Sequence, residues 1–399
     1  MKSKASLSRF HLERLRPRSD LGHRVSKAWK QRAHGLPRLG NGSRPRGALG
    51  GTPLRMARPM FVGLMVWAMA WAPLRAAGET EEGDVVRAMD RALDFLAQRQ
   101  DEAGAIHEGK NKTAMTALAL MAFMAAGHLP MDPSPEGVTV RKGLTYVLDA
   151  NRQEKDGYYG KDGSRMYGHG ITTLLLAETL GMAETAAQDA LIRERLEKAV
   201  ALILRAQQAK PASNRAHFGG WRYQPDSKDS DLSVTAWQVL ALRAAQNAAI
   251  EVPGRAIEDA VRYIKITCEA VPAFRYQPSG HPTFTSAAYG LLSLQVCGEY
   301  EAPEVSQAAQ WLDAQEVHPR QKQFYYGTYY YAQGMYQRGG ELAERAHRRV
   351  VAALLPLQKP DGGWDTVGGY ENEGGRVYAT SMAVLALAVR CHYLPIYQR

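Results

Sequence analysis

LPLQKPDGGWDTVGGYENEGGRVYATSMAVLALAVRC, residues 355–391, joins three kinds of chain. It begins at the end of an amphipathic segment, RRVVAALLPLQ (348–358), with apolar residues at helical spacing. A glycine-rich loop carrying one tryptophan follows, QKPDGGWDTVGGYENEGGR. VYATSMAVLALAVRC (377–391) is then apolar almost all round, the pattern of a helix buried on most faces.

The same order recurs upstream. Apolar helices read TAMTALALMAFMAAG (113–127), YGHGITTLLLAETLG (167–181), SVTAWQVLALRAAQN (233–247), TSAAYGLLSLQVCG (285–298) and YYGTYYYAQGMYQRGG (325–340). Each follows a more amphipathic helix: RALDFLAQRQ (91–100), KGLTYVLDANRQ (142–153), KAVALILRAQQ (198–208), DAVRYIKITCE (259–269) and AAQWLDAQE (308–316). Fixed-period self-similarity outranks local readings, and strand signals are weak throughout. Six alternating pairs, one helix buried and one half exposed, predict two concentric rings over 79–399, an all-α α/α toroid; an open solenoid is the alternative. In a ring, all six inner helices enter from one end, so their loops and the positive ends of their dipoles share one rim.

The 399 residues carry a net charge of +10, but unevenly. Residues 1–58 hold fifteen Lys/Arg against Glu13 and Asp20, which places +13 there and leaves −3 for the remainder. A slightly acidic body has no electrostatic footprint for nucleic acid. Residues 1–55 lack apolar periodicity and read as a basic tail or a start placed too early. From Met56 the chain reads MARPM, then an apolar run at 60–71, then small residues, the layout of a signal peptide over 56–78 with cleavage after Ala76 or Gly78. The expected location is therefore periplasmic or extracellular, with anchoring and peripheral membrane contact if the leader is retained. Three cysteines, Cys268, Cys297 and Cys391, with no CxxC pair, supply neither a disulfide framework nor a zinc ribbon.

LPLQKPDGGW (355–364) resembles the QW motif of the prenyltransferase and squalene-cyclase (terpenoid cyclase) repeat family, a glutamine at an outer-helix end followed by Gly-x-Trp. KGLTYVLDANRQEKDGYY (142–159) is a degenerate copy, and KAVALILRAQQ with FGGW (218–221) is another with an insertion; Gln98 and Gln315 match only the glutamine. The resemblance spans roughly 85–399 and implies a single toroid in which the amide ties one repeat to the next and the ring packs between helices.

It also bears on GGWRYQPDSKDSDLSVTAW (219–237). In squalene–hopene cyclases a Gly-Gly-aromatic loop leads to an Asp-x-Asp-Asp-Thr motif whose middle Asp protonates an alkene. The resemblance places Asp231 on that acid and Asp229 beside it as helper, with Leu232 where the family has its last Asp. It implies cyclisation of a small hydrophobic isoprenoid with no cofactor and no metal. Trp221, Tyr223, Tyr167, His169, Tyr326, Tyr330 and Trp364 are the candidate substrate contacts, rings able to face a cation. The protein prenyltransferase β subunit, which holds zinc through Asp, Cys and His, is the other relative. FYYGTYYYAQGMYQRGG has neither Cys nor His where that family supplies them.

The residues themselves leave three readings. Asp231 is an acid over an isoprenoid pocket. Or the rim carboxylates Asp229, Asp231, Asp361, Asp365, Glu371 and Glu373 serve an exported carbohydrate-active toroid, which needs two carboxylates about 6.5–9.5 Å apart. Or the acids are helix caps in a binding or scaffold module. Nothing in the sequence names a protein partner.

Overall fold

The computed structural model describes residues 65–209, 215–391, 394 and 396, with backbone alone for 65–80. The basic tail and the first part of the expected leader, 56–64, lie outside the described residues. Among the described residues twelve α-helices alternate as outer and inner members. The outer ones are α1 (Met65–Ala97), α3 (Pro135–Leu148), α5 (Ala186–Gln208), α7 (Gly254–Ile266), α9 (Pro303–Asp313) and α11 (Gly340–Leu354). The inner ones are α2 (Lys112–Ala125), α4 (Arg165–Thr179), α6 (Leu232–Asn247), α8 (Phe284–Val296), α10 (Phe324–Arg338) and α12 (Gly375–Leu387). Helix α1 runs through both expected cleavage points into the first outer helix. Among the described residues no helix is long and apolar enough to cross a membrane.

Each inner helix packs on the next, and α12 packs on α2, so the inner ring closes. This settles the choice between toroid and solenoid. The inner helices are buried on nearly every side, as a surface-free apolar pattern requires. Outer α7 and α11 bury a single stripe instead, Ala256, Ile257, Ala260 and Ile264 on α7.

The glutamines at the outer-helix ends hold the ring together. Gln207 Nε2 donates to the carbonyl of Gly219 in its own loop and to that of Ala256 on the next outer helix, both at 2.8 Å. Gln153 does the same to Gly157 and Arg195. Gln358 donates to Gly362 and to Ala88 on α1, so the last repeat is tied to the first. In the first repeat the residue in this role is Gln100, bonded to Gly104 and Thr139, and not Gln98. Helix α1 ends at Ala97, and the turn beyond it carries Gln100 to the loop. Gln315 does not bridge either; its amide returns to Trp311 on its own helix. The loop glycines can approach because they have no Cβ. A Cβ on Gly219 (φ +98°) or Gly362 (φ +91°) would fall 2.1 or 2.2 Å from the carbonyl oxygen of Asp259 or Arg91. Gln207→Ala would leave two carbonyls without their donor, and a loss of about 2 kcal/mol in chemical denaturation is expected.

The residue two places after the left-handed loop glycine, Gly104, Gly219 or Gly362, repeats as well. The backbone N–H of Ile106, Trp221 and Trp364 donates to Thr116, Thr235 and Thr380 on the following inner helix. Beyond α12, Leu394 and Ile396 are buried, and the Ile396 N–H reaches Glu178 in the last turn of α4. Ile396 is thereby tied to the C-terminal end of α4.

Candidate functional site

The N-termini of the inner helices do share one rim, because their loops bond to one another. Leu232 N–H donates to Tyr276 O, Met166 N–H to Tyr223 O, and Asp162 accepts the first N–H groups of α2. Glu108 accepts the Arg376 N–H at α12, and Glu371 accepts those of Tyr325 and Tyr326 at α10. Acids thus close the N-terminus of the preceding inner helix around the ring, where free N–H groups attract negative charge.

Asp231 is the N-cap of α6, its Oδ1 accepting the Val234 N–H at 2.8 Å. Its backbone is fixed by a bridge to Trp221, and its side chain is fully buried. Oδ2 has no hydrogen-bond partner in the protein; Arg222 Nη1 stands 3.6 Å away. Burial pushes the carboxyl up to about 7, against the Val234 N–H, Arg222 and Tyr276, which favour the ionised form. At neutral pH Asp231 is therefore populated as the acid, with one oxygen holding the helix and the other available to carry the proton. Asp229 lies apart, half exposed and ion-paired with Arg222 at 3.3 Å. It bears on Asp231 only through that shared guanidinium. Arg222→Met removes the nearest cation and should raise the Asp231 carboxyl by roughly one further pH unit, read by carbon-13 NMR titration of labelled aspartate.

Tyrosines surround this acid. Tyr167 OH donates to Ser233 Oγ at 2.8 Å, and Ser233 Oγ to Tyr326 OH at 3.1 Å, linking α4, α6 and α10. Tyr326 crosses to Ser233 from α10, and its ring lies against Trp237, Tyr289 and Tyr330. Trp237 stacks on Tyr329 at 5.8 Å, with Tyr330 edge-on to both. The α6–α8–α10 half of the ring is thus filled by aromatic packing. The other half differs. Tyr167 and Tyr378 are held well above the ordinary phenol range by burial, yet both retain accessible surface.

Of the expected contacts, Tyr167, Tyr223 and Tyr326 gather near Asp231, with Tyr223 hydrogen-bonded to Tyr276 and its ring tilted against that of Tyr167 at 6.0 Å, while Tyr330 packs on Tyr326. Three others are part of the frame. Trp221 and Trp364 have no accessible surface, and their indole N–H groups donate to Ile203 O and Leu354 O, each at 2.8 Å. His169 is fully buried; Nδ1 accepts the Tyr159 N–H, leaving Nε2 to donate to Ala199 O. It occupies the place that threonine holds in three other repeats. Burial lowers it to about 4, so it stays neutral.

Arg222 and Tyr276 carry no role in the sequence reading, though a signal exists. WRYQP (221–225) and FRYQP (274–278) repeat each other, which makes Tyr223 and Tyr276 equivalent and adjacent around the rim. Glu371 stands out from the other rim acids. It is 4% exposed, its Oε2 has no hydrogen-bond partner in the protein, and burial raises it to about 7. Asp361 and Asp365 pair with Arg376, and Asp365 also with Lys359. His217 fastens Ser230, while His281 is exposed. Cys297 and Gly298 (φ +91°) close the end of α8. Among the described residues no three His, Cys, Asp or Glu side chains gather as a metal-binding group.

The closed double ring has the α/α-toroid fold of the terpene cyclases. The chain is similar to type II terpene cyclase MstE from Scytonema, solved with merosterolic acid A (product), at 15% identity and a TM-score of 0.52, covering 79% of this chain and 99% of that one. The same figures hold against MstE with geranylgeranyl dihydroxybenzoate (substrate). Against the apo enzyme the identity is 14% and the TM-score 0.51, over 78% and 99% of the two chains. No protein-family model and no curated protein matches the sequence.

Proposed function

We propose that the protein takes an isoprenoid into its ring and starts a cyclisation by protonating it from Asp231. The observation that carries this reading is Asp231 Oδ2, buried and without a hydrogen bond, with Arg222 3.6 Å away, on a carboxyl that burial raises to about 7, with phenols on α4, α8 and α10 around it. In general acid catalysis the proton must be present at the operating pH, and the anion left behind must be stabilised. The Val234 N–H, the α6 dipole, Arg222 and Tyr276 are placed to stabilise that anion. With Leu232 fully buried in place of a second acid, the acidity comes from these donors. MstE, which shares the fold, was solved with a geranylgeranyl substrate, which supports the substrate class.

The glycan reading loses ground because Asp361 and Asp365 are neutralised by Arg376 and Lys359, and Asp229 by Arg222. The export expected from residues 56–78 remains part of the proposal, tested by the N-terminus of the mature protein. The decisive experiment incubates the full chain with squalene, a geranylgeranyl arene and their terminal epoxides, followed by mass spectrometry. An epoxide oxygen takes a proton more readily than an alkene, so the epoxides are expected to turn over faster. A folded protein that neither converts nor retains any of them overturns the proposal.

A further inference from the structure

We propose that outer helix α9 is a hinged panel of the ring, held by ion pairs where other outer helices are held by glutamine, and that salt releases it while the inner ring stays closed. This holds whatever the ring takes as ligand. Four of the six outer seams carry the same tie. Gln100, Gln153, Gln207 and Gln358 donate to Thr139, Arg195, Ala256 and Ala88 on the next outer helix, at 2.7–2.9 Å. Among the described residues α9 alone of the six outer helices takes part in none of these bonds. Setting KAVALILRAQQ (198–208) against DAVRYIKITCE (259–269) puts Cys268 where Gln207 stands. Its side chain is too short to cross the seam, and the thiol turns back to Val271 O at 3.8 Å. A cleft of about 430 Å³ lies there between α7 and α9, with Arg262, Cys268, Ala270, Pro303 and Glu304 in its lining. On the far side of α9 the Gln315 amide returns to Trp311.

Charge holds α9 instead. Lys265 on α7 pairs with Glu299, in the turn before α9, at 2.7 Å. Arg345 on α11 pairs with Asp313 at the end of α9 at 2.8 Å, and Arg349 donates to the same carboxylate and to the Asp313 carbonyl. All five side chains are partly exposed, so dissolved salt screens their attraction, whereas a neutral amide has no such sensitivity. The apolar hold is small. With 11 residues α9 is the shortest of the twelve helices, and it buries Val305, Ala308, Ala309 and Leu312. No side chain caps its N-terminus. An element held this weakly opens locally at a lower free energy than global unfolding. The inner helices keep their contacts with one another through such an opening, so the ring does not break. The panel backs α8 and α10, which carry Tyr289 and Tyr326 beside Asp231.

The test is amide hydrogen exchange, read by mass spectrometry on the full chain at about 50 mM and about 500 mM sodium chloride, which shortens the screening length about threefold. Peptides from α9 should exchange at least tenfold faster than those from α3 and α5. At high salt they should quicken by threefold or more, and α3 and α5 by less. Cys268→Gln supplies the missing donor and should slow α9 exchange about tenfold, the worth of two amide hydrogen bonds. Asp313→Asn removes the pairs to α11 and should quicken it by a similar factor. Exchange in α9 no faster than in α3 and α5, or indifferent to salt or to Cys268→Gln, overturns the proposal. If the glutamine variant does not fold, thiol labelling of the wild type decides. Cys268 is 4% exposed, so a reagent reaches it through the open panel. Its labelling, located by peptide mapping, should quicken at high salt, and a rate independent of salt overturns the proposal.

Discussion

Asp231→Asn should lower turnover by about 10²–10⁴-fold, the usual contribution of a positioned general acid, while leaving the fold intact. Asparagine is as good an N-cap as aspartate, and its side-chain oxygen can keep the Val234 N–H. What it loses is the proton on Oδ2. The pH dependence carries the same signature. The acid is protonated below about 7, so wild-type activity should fall as pH rises through that value. Stability follows with a definite sign. The folded carboxyl sits above its unfolded value, so the native state binds the extra proton, and stability declines between about pH 4 and pH 7. The groups that bear on it are Arg222 and Asp229 on its own loop, Tyr167 on α4, Tyr263 on α7, Tyr276, Tyr289 on α8 and Tyr326 on α10. Glu371 titrates in the same range with the same sign, so the variant should remove part of the slope. At pH 8 the asparagine protein should be the more stable, by up to about 4 kcal/mol at 1.36 kcal/mol per pH unit. A variant that unfolds more readily at pH 8, or turns over like wild type, would show that Asp231 serves only as a cap.

Trp364→Ala should be the most damaging single change to the frame, at about 3–5 kcal/mol for a fully buried aromatic, or roughly 10 °C in Tm for a domain of this size. The indole is enclosed and bonded to Leu354 O, and the residue's own N–H is held by Thr380 at the seam where the last repeat meets the first. Trp364→Phe keeps most of the packing and loses one hydrogen bond, so about 1–2 kcal/mol is expected. Thermal unfolding of the two variants separates the frame role from the substrate role. A ring that contacted ligand would instead weaken binding with Tm unchanged.

The architecture was legible because a toroid is written by repetition. The alternation of half-exposed and fully buried helices and the Gln358…Trp364 pattern are local signals that survive divergence. The site was less legible for physical reasons. Asp231 stands in the sequence as one of three nearby aspartates; only burial separates it from Asp229, which faces solvent two residues away. His169 reads as chemistry in YGHGI, yet it replaces a threonine in a backbone bond that three other loops make to threonine. Trp221 and Trp364 read as rings for a cation, although their motif already assigns them to the frame. Glu371 is one of four acids in its loop, and its distinction is burial with one oxygen left without a hydrogen bond, which spacing does not encode.

A linear stack of helix pairs has two ends, and an end repeat can be deleted or melt while the middle stands. The bond from Gln358 to Ala88 leaves this protein without an end repeat. Deleting any one pair would expose apolar flanks on both neighbours, and the remainder has no capping unit to cover them. Unfolding should therefore be a single concerted event rather than fraying. During synthesis, no stretch of the nascent chain can reach its final arrangement before the closing helix emerges.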